Sequence, residues 1–368
     1  MTNSNSNSST EARGSCAQIS SNLDINLLIG TGGSRSILFG TGVLLALAQC
    51  NFRRFRSIGG VSGGSMPASI IANQPDVTAL LDTVLDTDFN KLVKRRVSLV
   101  RFLTRVLAEP KAIDPPPLEG ALDASGFGAF FDDLIRQWPD TFWTMALSHQ
   151  KQVVFTGHGV YEEQEDGSLR LTSNTAVGVG TAIRATCAVP LLLDPVVWKN
   201  DQGVEHLLID GGLGPEGRCP ISVPGKLHSL SSSYLVVVNV GQDKSSLHQL
   251  IDRVFGTVCD DRESLREDVP VADGPRRIVV TPTSPLYGSF KFKMTQREKW
   301  EMILSGYMAA VEAFDRHGLF CEEALHTARD RGTRALLLMA HRSRGQKDRL
   351  PPALRALFND LKFGPEKF

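Results

Sequence analysis

The sequence of 368 residues lacks the features that mark several large classes of protein. Lysine plus arginine number 40 and aspartate plus glutamate number 40, so no broad nucleic-acid-binding surface is indicated. No apolar run approaches the roughly 18 to 20 residues that span a bilayer. The first residues contain no basic stretch followed by an apolar one, so we expect no secretory signal.

Cysteine and histidine are too scattered to indicate a metal centre or a redox motif. The eight histidines show no H-E-x-x-H spacing, and no C-x-x-C pair occurs among the six cysteines at positions 16, 50, 187, 219, 259 and 321. We therefore expect no metal, no cofactor, and reduced thiols in a cytoplasmic protein. The sequence does not indicate an oligomeric state.

The pattern of apolar and polar residues predicts one large α/β domain. Residues 1–22 are rich in serine and asparagine and predict a disordered tail. Short apolar strands alternate with helical segments over residues 23–345, which predicts a mostly parallel sheet covered by helices on both faces. We expect a helical insertion over residues 76–150, helical throughout 76–109, and a C-terminal extension over 346–368.

Residues 60–64, with the sequence GVSGG, match the G-x-S-x-G motif of a nucleophile elbow. In such an elbow a serine lies on a sharp turn between a strand and a helix, and glycines on either side remove Cβ clashes. The N-terminus of the following helix favours developing negative charge. Ser62 is therefore a candidate nucleophile, although a tight glycine turn with a structural serine would look the same.

A glycine-rich loop, GTGGSRS, occupies residues 30–36. It lacks the G-K-[ST] of a phosphate-binding loop, and no acidic residue lies between Ile25 and Pro75, which argues against a dinucleotide site. An oxyanion hole, in which glycine amides face an alkoxide, or close packing of a strand on a helix would also require glycine. Downstream, Asp210 precedes two glycines after an apolar strand. Its carboxylate can approach another group closely, although Asp-Gly is also a common turn pair.

Taken together, these segments resemble the patatin-like phospholipase family. Residues 31–36 are similar to the family's oxyanion motif G-G-G-x-R-G, with Thr31 and Ser36 in place of its outer glycines. Residues 185–196, ATCAVPLLLDPV, are similar to its A-S-x-x-x-P-x-x-F-x-P-V segment, and Asp210 begins its D-G-[GA]. The resemblance covers about residues 24–315.

The resemblance implies a three-layer α/β/α sandwich and a serine–aspartate catalytic dyad. Ser62 would attack an ester carbonyl, and Asp210 would take its proton directly. The backbone amides of Gly32 and Gly33, with that of Ser34, would hold the oxyanion.

Positive charge near these motifs predicts contact with phospholipid. Arg35 is a candidate for binding the phosphate head group. Residues 91–107 read as a basic amphipathic helix that either lies in a membrane interface or packs on the core with a solvated basic face. The expected substrates are membrane phospholipids or lysophospholipids, reached by peripheral contact with the membrane.

Several alternatives remain open. One is a neutral-lipid or general carboxylesterase, and another is a catalytically impaired lipid-binding regulatory protein. A third is an enzyme that stays inactive until a partner assembles it. An ordinary α/β-hydrolase triad would need His228 or His317 as its base.

Overall fold

The computed structural model describes the chain in several stretches: residues 25–50, 55–96, 120–214, 216, 218–227, 234–241, 276–341, 350–361 and 363. The predicted tail over residues 1–22 lies outside these stretches, as do residues 97–107 of the predicted basic helix.

Strands and helices alternate along the described chain. The strands are β1 (Ile25–Ile29), β2 (Phe55–Gly60), β3 (Lys94–Arg95), β4 (Leu122–Asp123), β5 (Phe142–Ser148), β6 (Lys151–Thr156), β7 (Gly159–Glu163), β8 (Leu169–Ser173), β9 (Val196–Lys199), β10 (Glu205–Asp210), β11 (Tyr234–Val238) and β12 (Arg276–Val280). The α-helices are α1 (Ser34–Gln49), α2 (Ser65–Asn73), α3 (Val77–Asp86), α4 (Ser125–Leu134), α5 (Val179–Thr186), α6 (Val223–Leu227), α7 (Gln296–Arg316), α8 (Glu322–His341) and α9 (Leu350–Ala356).

One large sheet carries the fold, with strand order β12-β11-β1-β2-β5-β6-β7-β8. From β12 to β5 every neighbouring pair is parallel. Beyond β5 the strands run antiparallel, and β10 also pairs antiparallel with β5 and with β9. The parallel part places the carboxyl ends of β1 and β2 side by side, where loops commonly form ligand sites.

Both faces of the sheet are covered, which confirms the predicted α/β class and the three-layer arrangement. Side chains alternate across β1, so that Leu27 and Leu28 belong to different apolar clusters. On the first face α1 is buried along nearly its whole length and packs against α7. On the second face Leu28 and Trp143 share a cluster with Val223 of α6. In the described part of the chain, no helix has the length and apolar character needed to cross a bilayer.

The predicted helix over residues 76–109 ends at Asp86 and does not continue through the described residues 87–96. Buried Lys299 of α7 donates from Nζ to the carbonyl oxygens of Val84, Leu85 and Thr87, at 3.1, 2.7 and 2.7 Å, and so closes the end of α3. This contact joins segments more than 200 positions apart, and a local sequence pattern does not reveal it.

Strands also occur within the predicted basic helix and within the predicted helical insertion. Lys94 belongs to β3, which pairs antiparallel with β4, so the start of the basic segment is extended rather than helical. Within the predicted insertion, β5 is a central strand paired with β2. Its seven residues are all buried, and such a continuous apolar run can be mistaken for a buried helix.

Described residues beyond the predicted boundary at residue 345 pack into the same core as the rest of the domain. Phe358 is fully buried, stacks on Trp300 at 5.8 Å between ring centroids and meets Tyr307 edge-on at 5.3 Å. The ring centroid of Phe363 lies 5.2 Å from that of Phe55 in β2. The sequence at this end is rich in polar residues, so the burial of these few large apolar side chains was not predicted.

The expectation that all thiols are reduced is wrong at Cys321. Cys50, Cys187 and Cys219 are buried and form no disulfide. Cys321 is disulfide-bonded. Spacing along a chain does not show which sulfur atoms meet in space.

Candidate active site

Ser62 lies on a strained turn at the carboxyl end of β2. Its φ angle is 53°, in the left-handed region that non-glycine residues rarely adopt, and a single 3₁₀ turn leads from it into α2. Such strain persists only where the surroundings enforce it, and it is concentrated at functional positions. The backbone N–H of Ser62 donates to Thr186 Oγ1 at 2.9 Å, and the residue is 4% exposed.

Glycines let the elbow pack directly on the glycine-rich loop. A Cβ atom on Gly63 would lie 2.1 Å from the carbonyl oxygen of Gly33, and one on Gly64 would lie 2.3 Å from that of Ile29. Both distances are far inside van der Waals contact with backbone that cannot move freely. The G-x-S-x-G sequence and the loop after β1 therefore form one unit.

Asp210 ends β10 beside the same two segments. Its Oδ1 accepts from the backbone N–H of Gly212 at 2.8 Å, and its own N–H donates to the carbonyl of Ala188 at 2.9 Å. A Cβ on Gly212 would lie 2.4 Å from Cγ2 of Thr31, so the turn after Asp210 packs against the glycine-rich loop. The structure thus brings Ser62, Asp210 and that loop together.

Burial of Asp210 sets the chemistry of its carboxyl group. The residue is 2% exposed, and burial raises its pKa from 3.8 to about 6. The Ser62 side chain, the Gly212 N–H and the charge of Arg218 each lower the pKa by smaller amounts. Among the described residues, buried Asp210 Oδ2 completes no hydrogen bond of ordinary geometry. The effect of the Ser62 side chain on the pKa places the Ser62 hydroxyl close to this carboxyl group.

The glycine-rich loop offers two backbone donors. Within the described residues the N–H groups of Gly32 and Gly33 donate to no acceptor. Gly33 has φ 57° and ψ −135°, a conformation restricted to glycine. The predicted contribution of Ser34 is wrong, because its N–H donates to the carbonyl of Ser289 at 2.8 Å and its hydroxyl donates to the same oxygen at 3.0 Å.

Arg35 has a different role from the predicted one. It is 4% exposed, and its Nη2 donates to the carbonyl oxygens of Val240 and Gly241. The guanidinium group therefore holds the loop after β11 against the start of α1 and does not face a head group. A basic residue in a motif gives no sign of whether its side chain is buried.

Two neighbours of the dyad went unnoticed in the sequence except as part of the family resemblance. Thr186 accepts the Ser62 N–H, as described above. Cys187 follows it. Burial and the charge of Asp210 raise the pKa of its thiol, and hydrogen bonding with Ser65 and Ser62 offsets part of that rise. The similarity of residues 185–196 to a family segment was the only available signal.

Of the two histidines proposed for a triad, His317 lies in the described part of the chain and does not support that alternative. Among the described residues, no histidine hydrogen-bonds to Ser62 or Asp210, and His317 lies at the C-terminal end of α7. His228 lies outside the described residues. In the same part of the chain, no group of histidine, cysteine and acidic side chains is arranged to hold a metal ion.

The chain is similar to one known protein family and to several solved structures. The family described as patatin-like phospholipase matches residues 27–216, about half of the chain. Among solved structures, VipD from Legionella pneumophila is similar at 11% identity and a TM-score of 0.37, over 87% of this chain and 76% of that one. The human GIVD cytosolic phospholipase A2 is similar at 12% identity and a TM-score of 0.43, over 83% of this chain. The match spans 60% of the human chain. No curated protein sequence matches.

Proposed function

Since the chain belongs to the patatin-like phospholipase family, we propose that it is a lipid acyl hydrolase of the phospholipase A or lysophospholipase type, with Ser62 as nucleophile and Asp210 as base. One observation carries the proposal. A serine in a strained elbow borders a buried carboxyl with a raised pKa, next to two glycine amides that have no other acceptor.

In the proposed reaction Asp210 accepts the Ser62 hydroxyl proton while Oγ attacks the ester carbonyl carbon. The resulting oxyanion accepts hydrogen bonds from the N–H groups of Gly32 and Gly33. When the tetrahedral intermediate collapses, the ester C–O bond breaks and Asp210 returns the proton to the leaving alcohol. Water then attacks the acyl-serine and gives a proton to Asp210. As the second tetrahedral intermediate collapses, the bond from Ser62 Oγ to the acyl carbon breaks, Asp210 returns the proton to Oγ, and the fatty acid is released.

The environment of Asp210 supports its role as a base without an intervening histidine. An exposed aspartate at neutral pH is a weak base, because its pKa lies far below that pH. A pKa of about 6 leaves the group ionised near neutrality and brings it closer to the range in which proton transfer is efficient.

Hydrolysis of defined lipid vesicles tests the proposal. Purified protein is incubated with phosphatidylcholine, lysophosphatidylcholine or triacylglycerol, and released fatty acids are measured by mass spectrometry. Ser62→Ala and Asp210→Asn should each reduce the rate about 10³-fold or more, as expected for loss of a nucleophile or its base. Ser69→Ala, which removes another buried hydroxyl of α2, serves as the matched control and should retain activity.

The same experiment separates the proposed substrate from its alternative. Preference for triacylglycerol over both phospholipids would favour a neutral-lipid esterase. Full activity in Asp210→Asn would contradict the dyad.

We further propose that the protein meets its substrate by peripheral contact with a membrane in the cytoplasm. Sedimentation with phospholipid vesicles measures that contact.

A second candidate function is a lipid-binding regulatory protein with impaired turnover. The observation that favours it is the Ser34 amide, which is committed to Ser289 and leaves only the Gly32 and Gly33 amides for an oxyanion. A fluorophosphonate probe distinguishes the two candidates. Labelling of Ser62 supports the hydrolase, whereas vesicle binding by a protein whose Ser62 is inert supports the regulator.

A further inference from the structure

A short turn at the end of α5 contacts both members of the proposed dyad. Thr186 Oγ1 accepts from the Ser62 backbone N–H at 2.9 Å, and the Ala188 carbonyl accepts from the Asp210 backbone N–H at 2.9 Å. Cys187 lies between them. Its thiol interacts with the Ser62 side chain, and the charge of Asp210 raises its pKa. Three consecutive residues therefore link two segments that are remote from each other in the chain.

The contact from Thr186 is made to a strained and buried part of the elbow. Ser62 follows the end of β2 and has a left-handed φ, and the acceptor that its N–H meets is a side chain rather than a sheet carbonyl. Thr186 is fully buried, so water does not replace its hydroxyl. A buried N–H without an acceptor is strongly unfavourable, so the elbow would shift if this oxygen were removed.

Thr186 is well suited to fix a position. Its β-branched side chain is stiff about χ1, so the hydroxyl is held in place by the backbone of α5. The same helix end fixes the Ala188 carbonyl two residues later. The Ser62 Oγ and the Asp210 carboxyl are thus located by neighbouring groups of one rigid turn.

We propose that Thr186 is a positioning residue, whose side-chain oxygen holds the Ser62 backbone so that Oγ faces Asp210. This inference rests on the proposed hydrolase function. Displacing a reacting group by about 1 Å can reduce a rate by as much as about 100-fold, because attack requires close alignment. Thr186 itself touches neither substrate nor the transferred proton.

Three substitutions separate the hydroxyl from the bulk of the side chain. Thr186→Val keeps the shape and removes the acceptor, Thr186→Ser keeps the acceptor, and Thr186→Ala keeps neither. Thr41→Val is the matched control, since Thr41 is also fully buried but donates to Ile37 within α1. A soluble p-nitrophenyl ester gives kcat and KM, a fluorophosphonate gives the labelling rate of Ser62, and thermal unfolding gives Tm.

We expect Thr186→Val to lower kcat and the labelling rate about 10- to 100-fold with little change in KM, as for a misplaced nucleophile. Thr186→Ser should restore most of the rate, and Thr41→Val should lower only Tm. If Thr186→Val does not fold, the comparison of Thr186→Ser with Thr186→Ala carries the same test.

Two results would overturn the inference while leaving the hydrolase intact. One is a wild-type kcat in a folded variant without the hydroxyl, and the other is equal impairment with serine and with alanine. If instead the wild-type protein neither hydrolyses esters nor labels at Ser62, the proposed function itself is wrong. The wild-type and Ser62→Ala measurements therefore identify which proposal has failed.

Discussion

At the scale of a single residue, the burial of Asp210 lowers the stability of the folded protein when the carboxyl group is charged. Its pKa is about 6 in the folded protein and 3.8 in an exposed chain, so between these pH values the folded state holds a proton that the unfolded state has lost. The free energy of unfolding therefore falls as the pH rises through this window. The full disadvantage is about 3 kcal/mol, since one pH unit corresponds to about 1.4 kcal/mol.

Asp210→Asn should make the protein more stable above pH 6 while abolishing hydrolysis. The amide keeps the acceptor for the Gly212 N–H but carries no charge. We expect a gain of up to about 3 kcal/mol at pH 8, shrinking towards zero below about pH 4, where the wild-type carboxyl is also neutral. Urea unfolding at a series of pH values measures the gain. A variant that is less stable than wild type at pH 8 would contradict the burial argument.

The same pKa predicts the pH dependence of the wild-type rate. The proposed base Asp210 can accept a proton only when it is ionised, so kcat/KM should be half-maximal near pH 6 and fall about tenfold for each further pH unit towards acid. A rate that is constant between pH 7 and pH 5 would exclude Asp210 as the base.

Gly33 is restricted both by its backbone and by its neighbours. Gly33→Ala should lower stability by several kcal/mol and abolish activity, because φ is 57° and the new Cβ would lie 2.2 Å from the Ser289 carbonyl oxygen. Gly203→Ala is the matched control, since φ is 77° there but nothing lies within 4 Å. It should be less stable than wild type by only about 1–2 kcal/mol and remain active. Thermal unfolding and ester hydrolysis compare the two, and equal effects would show that contact at Gly33 is unimportant.

At the scale of secondary-structure elements, the sequence predicted what is locally determined. The start of α7 is an example: Thr295 and Glu298 form a capping box, which their T-x-x-E sequence is enough to indicate, and Gly318, with φ 68°, follows the helix end. The end of α3 depends instead on Lys299 from a remote helix. Likewise, Ser62 and Asp210 could be selected from motifs, but the engagement of the Ser34 amide by Ser289 depends on tertiary packing.

The crossing of α1 and α7 depends on glycine at the contact. Gly306→Ala should destabilise the protein by about 1–3 kcal/mol, although alanine favours a helix, because its Cβ would lie 2.1 Å from the Phe39 carbonyl oxygen. In α4, Gly128→Ala meets its nearest atom at 3.5 Å and should be neutral or stabilising. Chemical unfolding of both variants measures the difference. A stabilised Gly306→Ala protein would mean that the helices separate without cost.

At the scale of the whole molecule, alternation of strands and helices was enough to predict the α/β class, whereas the limits of the core were not predictable. A few anchors near the C-terminus, such as Phe358, enter a cluster whose other members lie far away in the sequence. The antiparallel pairing of β5 with β6 was not predicted, because strand direction is decided by connections and not by composition.

Phe358→Ala tests whether the C-terminal residues stabilise the entire domain. Removing this fully buried ring should lower the free energy of unfolding by about 3–5 kcal/mol. Leu336→Ala, at a side chain 49% exposed on α8, should change it by less than about 0.5 kcal/mol. Thermal unfolding followed by circular dichroism measures both. A small change in the free energy of unfolding of Phe358→Ala would support the predicted domain boundary at residue 345.

The strand that delivers Asp210 joins the central sheet through only two registered residue pairs, Ile209 with Leu147 and Asp210 with Ala146. Asp210 follows Ser62 by 148 positions, so a growing chain contains the Ser62 hydroxyl before it contains the residue proposed as its base. Under the proposed mechanism, a chain in which β10 has not yet docked cannot cleave an ester.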